Sequence, residues 1–175
     1  YLVLEDLEAA HARGAHVYGL IVGWGSCQGT FEDPYEVDEN GLVLIDSVNQ
    51  ALDTAGISAS QIDSIIASAN GSLNKDAVEL RVFAKLFNEL RSTPAIITNF
   101  KHILGETLGA GGAFSTTLGA LYLKAGDALP VISADLPIPA NLAFSTGRET
   151  AGTLALVSDL GYHGESATLL LRKYE

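Results

Sequence analysis

Residues 105–125 decide the class of fold, and they read GETLGAGGAFSTTLGALYLKA. The stretch is rich in glycine and alanine and is almost uncharged between Thr107 and Tyr122. Its larger apolar residues include Leu108, Phe114, Leu118 and Leu121. A helix that is apolar on every side is buried, and small residues let neighbouring elements pack close to it. The stretch therefore predicts one buried central helix over 105–125.

Short apolar runs and amphipathic stretches alternate around this helix. The runs predicted as strands are 1–4, 17–24, 62–69, 95–98, 153–157 and 167–172. The stretches predicted as helices are 5–13, 41–55 and 74–90, the last with Asn74 as its N-cap. Residues 28–40 and 129–146 contain proline and are predicted to be irregular. This alternation indicates the α/β class, with a mixed sheet flanked by helices on both faces.

The composition excludes several kinds of partner and site. The 175 residues include 10 Lys and Arg against 21 Asp and Glu, which gives a net charge of −11. This charge disfavours nucleic acid and anionic membrane surfaces, which need clustered basic residues. The single cysteine, Cys27, excludes an internal disulfide and a cysteine-based zinc site. With no signal peptide and no long apolar span, we expect a cytoplasmic protein without a metal or other cofactor.

Four motifs match, in order, the motifs of a known family. They are Gly23-Trp-Gly-Ser26, Ala69-Asn-Gly-Ser72 followed by Asp76-Ala-Val-Glu79, Lys101-His-Ile-Leu-Gly-Glu-Thr-Leu-Gly109, and Ser158-Asp-Leu-Gly-Tyr-His-Gly164. In this order they resemble the C-terminal half of the β-ketoacyl synthases, which are thiolase-like condensing enzymes. The family has Ala-His-Gly-Thr at the second motif, Lys-x-x-x-Gly-His at the third and Gly-Phe-Gly-Gly at the fourth.

The resemblance implies a thiolase-like fold made of two similar halves, with the active site between them. Residues 1–175 are then expected to form a single C-terminal domain. The N-terminal half, which holds the nucleophilic cysteine of the family, is expected to lie outside this chain, since the sequence starts at Tyr1 inside an apolar run and contains no methionine. Cys27 does not match the position of that nucleophile, and we expect it to be a small residue near a loop.

The resemblance also implies catalytic positions. In the family, two histidines donate hydrogen bonds to the thioester oxygen of a malonyl group, and these positions hold Asn70 and Glu106 here. An amide still donates but does not transfer protons near neutral pH, and an ionised carboxylate only accepts. Lys101 and Glu79 match residues that support the family's site. Two pairings stay open for Lys101, one with Glu106 and one with Glu79 in a buried salt bridge.

The last motif matches the gate of the family's substrate tunnel. Tyr162 replaces the gating phenylalanine, and His163 replaces the glycine that follows it. A glycine there permits a positive φ or a close approach to substrate, so a histidine implies an altered or closed entrance. The alternative is that His163 is an ordinary histidine on a surface loop, since no neighbouring residues have the spacing of metal ligands.

Three functions are compatible with these residues. The first is the C-terminal domain of a β-ketoacyl synthase-like protein of fatty-acid or polyketide biosynthesis, non-catalytic and similar to the chain-length factors that pair with an active ketosynthase. The second is an active 3-oxoacyl-ACP synthase, an acyltransferase in which Glu106 has a raised pKa and donates a proton. The third is a stand-alone binding or structural domain.

The same resemblance implies the partners. They are the N-terminal half of the same protein, a second copy or a ketosynthase in a dimer, and an acyl carrier protein. Carrier proteins of these pathways are acidic, and this chain has a net charge of −11. Like charges slow the encounter of two proteins, so we expect a carrier protein to dock on another part of the assembly.

Overall fold

The computed structural model describes residues 2–30, 38–87, 93–127, 129–131 and 137–175. The predictions for Tyr1, for the middle of 28–40, for the end of 74–90 and for part of 129–146 lie outside these ranges. The helices are α1 (Leu7–Ala12), α2 (Leu42–Ala55), α3 (Leu73–Leu86), α4 (Lys101–Leu104) and α5 (Gly111–Ala125). The strands are β1 (Leu20–Gln28), β2 (Ser64–Ile66), β3 (Ala95–Thr98), β4 (Leu142–Phe144), β5 (Leu154–Leu160) and β6 (Glu165–Arg172).

The six strands form one mixed sheet in the order β1-β6-β5-β2-β3-β4. Strands β5, β2, β3 and β4 are parallel to one another, whereas β6 is antiparallel to both β1 and β5. Parallel neighbours require crossover connections, which helices supply here. The predicted α/β class and the mixed sheet are confirmed.

Alternating side chains of the strands pack against helices on the two faces of the sheet. Ile65 belongs to a core with residues of α2 and α3, while its neighbour Ile66 belongs to a second core with residues of α5. This alternation is the two-residue period of a strand. Both faces of the central strands are therefore covered by helices, as the apolar runs predicted.

Helix α2 lies unusually close to strand β1, and two glycines permit the approach. A Cβ atom at Gly25 would overlap the carbonyl oxygen of Ser47 and lie 2.8 Å from the Cβ atom of Gln50. A Cβ atom at Gly23 would overlap the carbonyl oxygen of Ala51. The glycines of the Gly-Trp-Gly-Ser motif therefore set the distance between the helix and the strand.

Replacing Gly25 by alanine should lower the free energy of unfolding by about 2–3 kcal/mol, because the helix has to move away from β1. Denaturant unfolding of the purified protein measures this. Gly109→Ala is the matched control, because a Cβ atom there has no neighbour within 4 Å, and it should change the stability by less than about 0.5 kcal/mol. Equal stability of the two variants would show that α2 does not depend on this contact.

One predicted strand is absent among the described residues, and one observed strand was not predicted. Residues 2–4 lie outside the sheet, and Leu2, Val3 and Leu4 are exposed. An apolar run becomes a strand only if it finds a partner, and within the described ranges β1 at this edge of the sheet pairs with β6 alone. Conversely, 142–144 form strand β4 inside the segment predicted to be irregular, because β3 offers a free edge for parallel pairing.

The helix predicted over 105–125 begins later than predicted, and the described part of this chain buries one of its faces. The α-helix begins at Gly111, because Gly105 and Leu108 have positive φ angles of 77° and 51° that interrupt it. Its inner face packs on the sheet through Tyr122 and Leu123, but Phe114 is 45% exposed on the outer face. The helix is apolar on both sides, yet the described part of this chain covers only one of them.

Candidate functional site

The predicted site residues lie at one edge of the sheet, where neighbouring strands end. Asn70 follows β2, Lys101 follows β3, and Asp159 lies near the end of β5. These three strands are mutually parallel in the order β5-β2-β3, so their carboxyl ends meet. The loop before α5 brings Glu106 to the same edge. Ligand sites of open α/β sheets form at such edges.

Glu106 occupies the hydrogen-bond donors of its neighbours. The amide Nδ2 of Asn70 donates to Glu106 Oε2 at 2.8 Å, and the Lys101 ammonium lies 3.1 Å from the same oxygen. The other oxygen accepts the backbone N–H of Leu108 at 3.1 Å. Partial burial raises the pKa of Glu106, but these hydrogen bonds and the Lys101 charge outweigh burial and lower the pKa overall.

Lys101 lies between two carboxylates. Its side chain is only 9% exposed, and its Nζ atom is 3.1 Å from Glu106 and 3.7 Å from Asp159. It also donates to Ser68 Oγ at 3.3 Å. The predicted pairing with Glu106 is confirmed, while the alternative salt bridge with Glu79 is absent among the ion pairs of the described residues. The pKa of Asp159 is raised by burial, which the Lys101 charge offsets only in part.

Glu79 is buried and forms no salt bridge within the part of the chain that the structure describes. Its Oε1 atom accepts the backbone N–H of Ser68 and the hydroxyl of Ser158, each at 2.8 Å. Burial raises its pKa to about 7, because two hydrogen bonds replace only part of the lost hydration. Glu79 therefore joins β5, α3 and the loop after β2, and it is not a member of the Asn70–Glu106 pair.

The raised pKa of Glu79 predicts a pH dependence of stability. Below pH 4.5, the ordinary pKa of a glutamate, the Glu79 carboxyl is protonated in both the folded and the unfolded state, so it does not lower the free energy of unfolding. As the pH rises towards 7, the unfolded state releases a proton that the folded state keeps, so stability falls by an amount on the order of 3 kcal/mol. Glu79→Gln should remove this fall, measured as unfolding free energy between pH 4.5 and 8. The same fall in both proteins would contradict the assignment.

A short loop after β2 holds the Asn70 side chain in place. The Asp76 carboxylate accepts the backbone N–H groups of Asn70 at 3.2 Å and Gly71 at 3.0 Å. The Oδ1 atom of Asn70 in turn accepts the backbone N–H of Ser72 at 3.1 Å. Asn74 is not the N-cap of α3, because the helix begins at Leu73 with Ser72 as its N-cap. Asp76 lies in the first turn of α3, as predicted, and also fixes this loop.

The two predicted gate residues differ in their contact with the site. The Tyr162 hydroxyl accepts a long hydrogen bond of 3.4 Å from Asn70, and the ammonium of Lys75 lies 3.9 Å from its ring centroid. The His163 side chain is exposed, and its backbone holds the loop through Gln28 and Glu165. The positive φ in this loop falls on Gly164 and not on His163. The arrangement at His163 agrees with the surface-loop interpretation.

Sequence reasoning missed three polar residues of this site. Ser68 bonds to Lys101 and to the backbone of Leu160, Ser158 bonds to Glu79, and Asp159 pairs with Lys101. Each lies at the end of an apolar strand, and a polar residue in that place was the available signal. Within the described ranges, no cluster of three His, Cys, Asp or Glu side chains could hold a metal ion. No helix in those ranges is long and apolar enough to cross a membrane.

Comparison with known proteins identifies the family of this chain. Residues 18–135 match the family model of the β-ketoacyl synthase C-terminal domain. The chain is 31% identical to 3-oxoacyl-[acyl-carrier-protein] synthase 2 of Rhizobium meliloti, covering 99% of the chain and 41% of that protein. It is 30% identical to the putative mitochondrial 3-oxoacyl-[acyl-carrier-protein] synthase of Schizosaccharomyces pombe, over 99% and 42%. The chain thus spans about two fifths of the length of these relatives.

Solved structures share the fold at lower identity. The ishigamide ketosynthase/chain length factor superposes with a TM-score of 0.83 at 24% identity, over 98% of this chain and 42% of that chain. A type II polyketide acyl-carrier protein in complex with its ketosynthase gives 0.84 at 22%, with the same coverage. At this identity the likeness shows the fold alone. Because the family model covers more than half of the residues, the chain belongs to the β-ketoacyl synthase family and contains its C-terminal domain.

Proposed function

We propose that residues 1–175 form one C-terminal domain of a ketosynthase-like protein that performs no condensation itself and acts beside an active ketosynthase. One observation carries the proposal. The Asn70 amide and the Lys101 ammonium, which are the donors nearest the catalytic position, both bind Glu106 Oε2. A thioester oxygen placed there would meet the Glu106 carboxylate, which already holds both of these donors, so a developing enolate would be repelled.

The electrostatics disfavour an active enzyme that uses Glu106 as a proton donor. That role needs a pKa raised towards neutrality, whereas hydrogen bonds from Asn70 and Lys101 keep the pKa of Glu106 below its ordinary value. Loss of one oxyanion donor costs about 10²–10³ in rate, and loss of one acid–base group about 10²–10⁴. Together these losses leave little condensation.

The apolar surface disfavours a stand-alone domain. Phe114 and Leu121 are exposed on the outer face of α5. Trp24 is 60% exposed. Its neighbours Gly23 and Gly25 face α2, so Trp24 lies on the other face of the sheet, which is the side of α5. Large apolar side chains grouped on one side mark an interface. The proposed occupant is the N-terminal half of the same protein, because the chain spans only about two fifths of its relatives.

A comparison of the intact wild-type protein with Glu106→Gln tests this function. Neither protein should release carbon dioxide from malonyl thioester, or form condensed product, faster than the uncatalysed background. An active ketosynthase is the positive control for both measurements. A measurable wild-type rate that Glu106→Gln abolishes would show that Glu106 is a catalytic acid and would overturn the proposal. The partners proposed for the intact protein are a ketosynthase or a second copy, and an acyl carrier protein.

A further inference from the structure

A pocket of about 230 Å³ opens between α3 and the ends of β2, β3 and β4. Its apolar walls are Ala67, Leu80, Phe83, Ile97, Val131 and Phe144. It lies on the α3 side of the sheet, whereas the uncovered apolar face of α5 lies on the other side. At roughly 30 Å³ for one water-sized group, the volume holds about eight such groups in a row or ring.

The walls of this pocket are fixed before any ligand arrives. Phe83 and Ile97 belong to the main core and are 1% and 4% exposed. The backbone N–H of Val131 donates to the carbonyl oxygen of Ser145 at 2.9 Å, which holds the facing wall. Val131 and Phe144 remain half-buried, so a ligand would cover apolar surface that water now contacts.

The polar lining selects against a charged ligand. Asp76 and Glu79 line the pocket, and their carboxylates would repel an anion. The ammonium of Lys101 also lines it but is already held by Glu106 and Asp159. An amine would have to compete with that ammonium, and the Asp76 oxygens already accept the N–H groups of Asn70 and Gly71.

Asn99 offers an uncharged donor to a ligand. Asn99 lines the pocket, and its Oδ1 atom lies 2.9 Å from Nδ1 of His102. Its amide nitrogen has no hydrogen-bond partner among the residues that the structure describes. A neutral oxygen such as a hydroxyl or a carbonyl could accept from it.

We propose that this pocket binds a small neutral ligand, with an aliphatic body of about eight carbons and an uncharged oxygen that accepts from Asn99. Asn70 and Lys101 of the candidate site also line this pocket. Binding is measured without any condensation assay, so its outcome is separate from that of the proposed function. Phe114, Leu121 and Trp24, which are proposed to meet the N-terminal half, are not among the residues that line the pocket.

Three probes of equal length and different charge test the proposal on the intact protein. They are 1-octanol, octanoate and octylamine, titrated by calorimetry at pH 8. Octanol should bind at one site, and octanoate and octylamine should each bind at least tenfold more weakly. Absence of octanol binding, or tighter binding of either charged probe, would overturn the proposal.

Two variants locate the binding site. Val131→Phe fills the pocket and should weaken octanol binding at least tenfold, and Asn99→Asp should weaken it several-fold by replacing the donor with an acceptor. Val3→Phe is the matched control, because Val3 is 79% exposed and does not line the pocket. Phe144→Trp is a second filling variant if Val131→Phe melts at a lower temperature. Unchanged octanol binding in a folded filling variant would place the ligand elsewhere and overturn the assignment.

Discussion

Replacing Asn70 and Glu106 together by histidine should raise the rate of malonyl-thioester decarboxylation by the intact protein at least about 10²-fold. Decarboxylation leaves an enolate, and two imidazole donors beside its oxygen would replace an amide and a carboxylate that now bind each other at 2.8 Å. One such donor is worth about 10²–10³ in rate. Release of carbon dioxide measures this step without requiring a nucleophile from the N-terminal half.

Asn70→His alone is the control for this gain. Glu106 stays in place there, binds the new imidazole and repels the enolate, so the rate should remain near background. If the double variant melts at the wild-type temperature and still releases carbon dioxide at the wild-type rate, Asn70 and Glu106 do not occupy the positions of the family's histidines.

Replacing Lys101 by methionine should lower the free energy of unfolding by about 2–3 kcal/mol at pH 8. The ammonium is 9% exposed and faces Glu106 and Asp159, so its removal leaves two neighbouring carboxylates without a cation. Breaking a buried pair costs about 3–5 kcal/mol, and the partial exposure of both acids reduces that figure. At pH 4 the loss should be smaller, because protonated carboxylates need no cation.

Lys85→Met is the matched control, because this lysine of α3 is exposed, and it should change the stability by less than about 0.5 kcal/mol. The double variant Lys101→Met with Glu106→Gln should lose less than the sum of the two single losses, since the second change removes the unpaired charge. Strictly additive losses would show that Lys101 and Glu106 do not interact.

The sequence predicts the strands well where both of their faces are buried. Ile65, Ile97 and Leu156 lie in such runs. The apolar character of a run is a local property of the sequence, and it predicts a strand that is buried on both faces. The motifs also predict that Asn70, Glu106 and Lys101 meet. Their spacing along the chain gives only candidates, and the parallel order of β5, β2 and β3 brings them within hydrogen-bond distance.

Other features depend on contacts that a linear pattern does not contain. Strand β4 exists because the edge of β3 accepts it, and residues 2–4 stay outside the sheet within the described structure despite their apolar side chains. The role of Asp159 follows from its 3.7 Å distance to Lys101, not from any motif. The exposed side of α5 is apolar in sequence, and the described residues leave it uncovered.

Condensation by the intact protein, assayed first alone and then mixed with a ketosynthase from the same organism, tests the central claim. With Asn70 and Lys101 both bound to Glu106, the protein alone should form no product above background. The mixture should form product, with a chain length that differs from that made by the ketosynthase alone. Condensation by the homogeneous protein at a rate comparable with that of an active ketosynthase would contradict the account.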